Sequence, residues 1–359
     1  MSQSEFYPLT IGEVRPETAD CVSVLYTVPD ECKAAFRAKA GQYVTLKAEI
    51  DGEPVRRCYS ICEQEDDTGF RIAVKKVDGG KFSTYVVDKL KAGAKMDVMP
   101  PMGNFTTERL KGGARPHYVA IAAGSGITPV IAIAREILSG GADARFTLIY
   151  QNAARDKTIF REQLLDLKNR YMGKFNPVFI FSREQSEDEL TSGRIDQSKL
   201  ELMFRHFPEF GAAAGYFLCG PEDLTGKVEE FLTGHGVEPA KIVREMFVNQ
   251  GQTVSKLRSS MSTARHEGEC ELSFKMNGTT RTLSVPFDRT ILDSLLAKGI
   301  NVPFACHGGV CSTCKMKVEQ GEINMPVNFA LEKDQVAEKL ALSCCCFPVS
   351  DKLSINYDI

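Results

Sequence analysis

Tryptophan is missing from this chain of 359 residues, so its cores must be built from 21 phenylalanines and the aliphatics. No apolar run reaches the roughly 18 residues that a membrane helix needs, and no membrane span is expected. Neither sign of charge dominates. The 44 Lys and Arg against 47 Asp and Glu leave −3, which removes the electrostatic case for a nucleic-acid partner. The opening Met1-Ser2-Gln3-Ser4-Glu5 has neither the basic start nor the apolar stretch of a signal peptide. A soluble, cytoplasmic protein is expected. Cysteine, by contrast, is plentiful: twelve in such a chain argue for cofactor ligands and reduced thiols rather than disulfides. The length points to two or three domains.

Three of those cysteines lie in Cys306-His307-Gly308-Gly309-Val310-Cys311-Ser312-Thr313-Cys314. Four residues between the first pair and two between the next is the plant-type spacing of a [2Fe–2S] cluster, which needs one more cysteine downstream. Zinc sites pair their cysteines in short C-x-x-C knuckles, and here only one such pair occurs. Gly308-Gly309 let the backbone bend tightly around a metal group. The fourth ligand falls within Cys344-Cys345-Cys346, and spacing alone leaves all three open.

Residues 1–108 show short strands with turn punctuation, among them Cys21 to Val28, Gly41 to Leu46 and Phe70 to Lys76, with a hairpin signal at Asp51-Gly52. An antiparallel β-barrel is expected. Residues 112–248 alternate strands with helices, which calls for a parallel α/β sheet. Its strands are Tyr118–Ala123, Arg145–Tyr150, Pro177–Phe181 and Gly215–Cys219. Its helices begin near Ile127, Thr158 and Glu222. Residues 249–268 are polar, hold Lys256, Arg258 and Arg265, and read as a linker. Residues 269–359 open with a hairpin pivoting on Asn277-Gly278, then a helix capped by Gly299, then the cysteine loop. This order fits a β-grasp ferredoxin domain.

Two further motifs point to cofactors. Arg56-Arg57-Cys58-Tyr59-Ser60 offers a cation, an aromatic face and a hydroxyl on one strand, the three things a flavin dinucleotide needs. Gly79-Gly80-Lys81-Phe82-Ser83-Thr84 is a Gly-rich turn opening a helix, which suits a pyrophosphate. Between a buried strand and a helix stands Gly124-Ser125-Gly126-Ile127-Thr128-Pro129, the context of a nucleotide phosphate turn. No acid ends the second strand, where an NAD ribose would want one. Ser182-Arg183 instead close the third, and a hydroxyl beside a guanidinium suits the 2′-phosphate of NADPH.

Taken in this order, the chain resembles the ferredoxin–NADP reductase superfamily with a C-terminal plant-type ferredoxin domain. Arg57-Cys58-Tyr59-Ser60 resembles its R-x-Y-S flavin motif, Cys219-Gly220-Pro221 its C-G-P motif and Glu245-Met246-Phe247 its E-x-F ending. The resemblance implies FAD held by Arg57, Tyr59, Ser60, Val74, Gly80, Lys81, Phe82 and Ser83. It implies NADPH held by Gly124, Ser125, Gly126, Ile127, Ser182, Arg183, Cys219, Gly220 and Pro221. Phe247, Glu245 and Thr128 are placed at the nicotinamide–flavin contact. Spacing within the family selects Cys344 as the ligand joining Cys306, Cys311 and Cys314. Ala153 stands where the family often has an Arg, with Arg155 a substitute. Arg56 to Cys62, Ile121 to Pro129, Asn328 to Glu332 and Leu342 to Cys344 resemble the branch whose reductases serve a multi-subunit di-iron oxygenase. Hydride brings two electrons while the cluster takes one at a time, so the flavin must split the pair. The expected role is electron transfer from NADPH through FAD and [2Fe–2S] to an oxygenase component. The alternatives are a Rieske-type ring or steroid oxygenase as the partner, or an iron–sulfur redox sensor.

Overall fold

The computed structural model describes residues 5–65, 68–110, 112–140, 143–184, 188–247, 268–331 and 333–359. The chain divides into two compact units, Met1–Phe247 and Val248–Ile359. Among the described residues no helix is long and apolar enough to cross a membrane. Of the expected linker, residues 249–267 lie outside the described residues.

The first unit begins with a closed antiparallel barrel. Its strands are β1 (Tyr7–Thr18), β2 (Cys21–Thr27), β3 (Tyr43–Ile50), β4 (Glu53–Glu65), β5 (Gly69–Lys75) and β6 (Lys95–Val98), in the order β1-β2-β5-β4-β3-β6. The ring shuts because β6 pairs with both β1 and β3, which leaves no open edge. Asp51 at φ 54° and Gly52 at φ 77° make the tight β3–β4 turn, the left-handed pair a type I′ hairpin needs. Val24, Tyr26, Val44, Leu46, Phe70 and Ile72 fill the interior. Each of the aliphatic and phenylalanine side chains contributes about 1.5–3 kcal/mol by burial, so the interior rather than the turns carries the barrel. Helix α1 (Lys81–Lys89) adds Phe82 and Val86 to this core. The sequence pattern hides β1 and β6. β1 contains Pro8 and Pro16 and shifts register between Ile11 and Glu13 and again between Pro16 and Thr18, which breaks the alternation. β6 has only four residues.

The second half of this unit is a parallel sheet of β7 (His117–Ala123), β8 (Arg145–Asn152), β9 (Phe175–Phe181), β10 (Gly215–Gly220) and β11 (Ile242–Met246), ordered β11-β10-β7-β8-β9. Helices α2 (Ile127–Ser139), α3 (Arg161–Arg170), α4 (Gln197–His206) and α5 (Glu222–Gly234) connect the strands. The order turns back between β7 and β10, and nucleotides bind at such switch points, beyond the carboxyl ends of the strands. α3 starts later than the pattern suggests. Phe160 takes φ 60°, and Thr158 donates its hydroxyl to Ala154 O at 3.1 Å instead of entering the helix. α4 was not expected; Asp196 caps it by accepting from Lys199 N at 2.9 Å, and Leu200 and Met203 anchor it. α2 ties the sheet to the barrel. Arg135 donates to Cys62 O at 3.1 Å and pairs with Glu63 at 3.0 Å, and Cys62, Ala73 and Phe105 share one apolar cluster with Ile127, Ile131 and Phe217.

The second unit contains β12 (Glu269–Met276), β13 (Thr279–Pro286), α6 (Ile291–Ala297), β14 (Lys315–Gln320), β15 (Ile323–Asn324), α7 (Lys333–Ala337), β16 (Leu340–Leu342), β17 (Phe347–Pro348) and β18 (Lys352–Asn356). Its main sheet runs β13-β12-β18-β14-β16, with β12 and β18 parallel at the centre. Asn277 at φ 52° and Gly278 at φ 73° form the hairpin turn. Gly299 at φ 75° ends α6, donating to Leu296 O at 2.9 Å while Ile300 N reaches Leu295 O at 3.0 Å. Ile291, Leu292 and Leu295 bury α6 against the sheet. This is the β-grasp arrangement.

Candidate functional site

β4 carries the flavin motif. Arg57, Tyr59 and Ser60 lie opposite Leu46, Val44 and Tyr43 of β3. The pleat sends Arg57 and Tyr59 to one face and Ser60 to the other. The Tyr59 ring lies 5.9 Å from that of Phe82, which brings this motif beside the Gly-rich turn. Burial raises the Tyr59 phenol above its usual range, so it stays a neutral hydroxyl. Arg57 donates to Arg56 O at 2.7 Å, and Lys81 pairs with Glu53 at 2.7 Å on the surface. Ser83 accepts from Val77 N at 3.1 Å and donates to Gly80 O at 3.3 Å, so its hydroxyl closes the turn. A Cβ at Gly80 would stand 2.6 Å from the Ser83 oxygen. Thr84 N–H to Gly80 O, at 3.0 Å, is the first bond of α1, so the N–H groups of residues 81–83 precede it and face outward. Val74 points into the barrel core, which leaves only its backbone for a cofactor.

The two halves of this unit meet at a chain of contacts. Ser60 Oγ donates to Glu245 Oε2 at 3.5 Å. Glu245 neighbours Cys219 in the β11–β10 register. A Cβ on Gly126 would stand 2.3 Å from Cys219 O, so the turn Gly124–Gly126 presses directly on the end of β10. Burial pushes the Glu245 carboxyl up to about 8, outweighing the Ser60 hydrogen bond, and the group holds a proton at neutral pH. Burial, helped by Glu245, likewise holds the Cys219 thiol well above its usual value. Thr128 is buried and donates to Ser125 O at 3.0 Å, Ile127 N–H closes on Gly124 O and Ser125 O, and Tyr150 donates to Gly124 O at 2.8 Å. Pro221 precedes α5, and the Phe247 ring stands at the rim, while the Phe247 backbone N–H donates to Gly220 O at 3.3 Å. A neutral carboxyl, a thiol and the hydroxyls of Ser60 and Thr128 meet in this corner. Bound FAD would add acceptance of an electron pair and release of single electrons.

Ser182 and Arg183 follow β9, and their N–H groups donate to Asn152 O and Ala153 O, each at 2.9 Å. Arg155 shares this corner, its guanidinium 5.8 Å over the Phe181 ring. The Arg155 backbone N–H donates to Glu184 Oε1 at 2.6 Å, so Glu184 joins a corner that the sequence motifs described without it. No spacing rule marks Glu184; only the pairing of the two strand ends brings it there.

In the second unit Cys306, Cys311, Cys314 and Cys344 are all buried. Positive φ at His307 (49°), Gly309 (72°) and Ser312 (55°) curls the loop. Hydrogen bonds with Cys311 and Cys344, and with the Val310 and Gly308 N–H groups, hold the Cys306 thiol well below its usual value. Gly308 N lies 3.3 Å from Cys306 Sγ. Cys344, sharing protons with Cys306, Cys314 and Cys345, is raised instead. Four buried cysteines drawn together at one loop offer the four thiolates that a [2Fe–2S] cluster takes. Cys345 and Cys346 are both fully buried in the apolar core.

Residues 20–107 match the oxidoreductase FAD-binding domain family, residues 120–230 the oxidoreductase NAD-binding domain family and residues 274–349 the 2Fe-2S iron-sulfur cluster binding domain family. The chain is 36% identical to one component of the 1,2-phenylacetyl-CoA epoxidase of Escherichia coli (strain K12), over 98% of both chains. It is 29% identical to the ferredoxin reductase component of 3-ketosteroid-9-alpha-monooxygenase from Rhodococcus rhodochrous, over 97% of this chain and 96% of that one. The solved structure of phthalate dioxygenase reductase, 21% identical, superposes over 98% of both chains with a TM-score of 0.59 and so shares the fold. These matches bear out the resemblance carried by the motifs, and with it an oxidoreductase that uses NAD(P)H, FAD and [2Fe–2S]. The chain belongs to the family of ferredoxin–NADP reductase-type oxygenase reductases with a C-terminal [2Fe–2S] domain, the family that includes this component of the Escherichia coli epoxidase.

Proposed function

We propose that this protein takes electron pairs from NADPH, passes them through FAD to a [2Fe–2S] centre at Cys306, Cys311, Cys314 and Cys344, and delivers single electrons to an oxygenase component. The observation that carries the reading is the contact chain from Ser60 through Glu245 and Cys219 to Gly126, which brings the flavin motif and the nucleotide turn to one corner. In that corner Thr128, Glu245 and Phe247 line the nicotinamide–flavin contact. Arg57, Tyr59, Ser60 and the turn at Gly80–Ser83 hold FAD. Ser182 and Arg183 after β9, with Arg155 beside them, favour the 2′-phosphate of NADPH, and the Glu184 carboxylate in the same corner opposes it.

The partner proposed is a multi-subunit di-iron oxygenase acting on phenylacetyl-CoA, supported by the full-length identity to the epoxidase component. The chain then works in the cytoplasm as a barrel at 1–108, a nucleotide domain at 112–248, a linker at 249–268 and a ferredoxin domain at 269–359. A second reading, a steroid or ring oxygenase as acceptor, has the support of the Rhodococcus rhodochrous relative. Anaerobic titration with NADPH should bleach both flavin and cluster bands. Reconstitution with each candidate oxygenase should then yield product with one of them. Bleaching of neither band would overturn the reading, and product only with a Rieske-type oxygenase would replace the partner.

A further inference from the structure

Cys345 has no part in the ligand set, yet its Sγ lies 3.5 Å from that of Cys344, and both side chains are buried. We infer that Cys345 is a positioning residue of the cluster, its thiol donating a hydrogen bond to the Cys344 sulfur and holding the cluster's reduction potential up. The inference rests on Cys344 being the fourth ligand. A metal-bound thiolate carries no proton and can only accept, so the hydrogen in this pair belongs to Cys345. The thiol has little room to swing away. A Cβ on Gly309 would stand 3.0 Å from Cys345 Sγ, and Gly309, at φ 72°, lies in the cysteine loop itself. The loop backbone and the ligand therefore bracket the sulfur. Reduction adds one negative charge to the cluster, and donors to its sulfurs stabilise that state more than the oxidised one. Cys346 packs in the same apolar core and offers its carbonyl to Ile291 N at 2.9 Å.

The test is potentiometry of the full-length protein followed by electron paramagnetic resonance, with iron content measured per flavin. Cys345→Ala should keep the cluster and its iron but shift the potential to more negative values. Cys345→Ser, which retains a donor, should stay above the alanine variant, and Cys346→Ala should leave the potential unchanged. An unaltered potential and spectrum in Cys345→Ala would overturn the inference while leaving Cys344 as ligand. Loss of iron in Cys345→Ala together with its retention in Cys344→Ala would instead make Cys345 the ligand, and the ligand set itself would fall.

Discussion

Ser60 and Glu245 are 185 residues apart in the chain and 3.5 Å apart in space, the serine hydroxyl donating to the carboxyl. One stands on a barrel strand and the other on the last strand of the parallel sheet. Burial at this junction, more than the hydrogen bond, sets the protonation of Glu245.

That protonation makes stability depend on pH. The folded carboxyl titrates at about 8 and an unfolded one near its ordinary 4.5. Between these values the folded state binds more protons, so stability should fall as pH rises from 4.5 to 8 and level off above. Glu245→Gln, which keeps the shape without the charge, should flatten this slope. Melting temperatures at about pH 5.5 and 8.5, below and above the folded value, check it. An unchanged slope in the variant would assign the effect elsewhere.

Gly126 lies where a side chain has no room, 2.3 Å from Cys219 O. Gly126→Ala should cost about 1–3 kcal/mol by overpacking, and because backbone must shift at the nucleotide turn, it should also raise KM for NADPH. Denaturant unfolding and steady-state kinetics measure the two effects separately.

Removing Arg183, or Arg155, should weaken NADPH selectively. A charged hydrogen bond to phosphate is worth about 1.5–3 kcal/mol, so KM for NADPH should rise roughly tenfold to a hundredfold with NADH little changed. Equal losses with both nucleotides would place the 2′-phosphate elsewhere.

Tyr59→Ala should strip an aromatic face from the flavin site and, at about 1.4 kcal/mol or more, weaken FAD retention at least about tenfold. Tyr59→Phe should keep the flavin. The ratio of flavin to protein absorbance after gel filtration reads the difference.

Cys344→Ser should lose the wild-type cluster spectrum while NADPH still reduces the flavin of the other unit. Stripping iron from the unaltered protein with a chelator should give the same split, with electron delivery to cytochrome c falling and flavin reduction preserved. A normal cluster in Cys344→Ser would refute the ligand assignment.

Some of this was legible without any fold. The cysteine spacing from Cys306 to Cys314, the turns at Asp51-Gly52 and Asn277-Gly278 and the Gly299 cap all depend on a few consecutive residues, and turn chemistry acts over that range. The apolar run Tyr118–Ala123 likewise announces a strand buried on both faces. β1, with its prolines and bulges, does not announce itself, because only pairing with β2 and β6 makes it a strand. Nor could one sequence say which of three adjacent cysteines faces which neighbour. The short 3-10 turn Ser343–Cys345 and the packing of Gly309 against Cys345 decide that in three dimensions. The chain by itself determined the order of its cofactor motifs. Only the tertiary structure brought Ser60 to Glu245 and Gly126 to Cys219, because such contacts depend on strand order and shared burial between segments far apart in sequence.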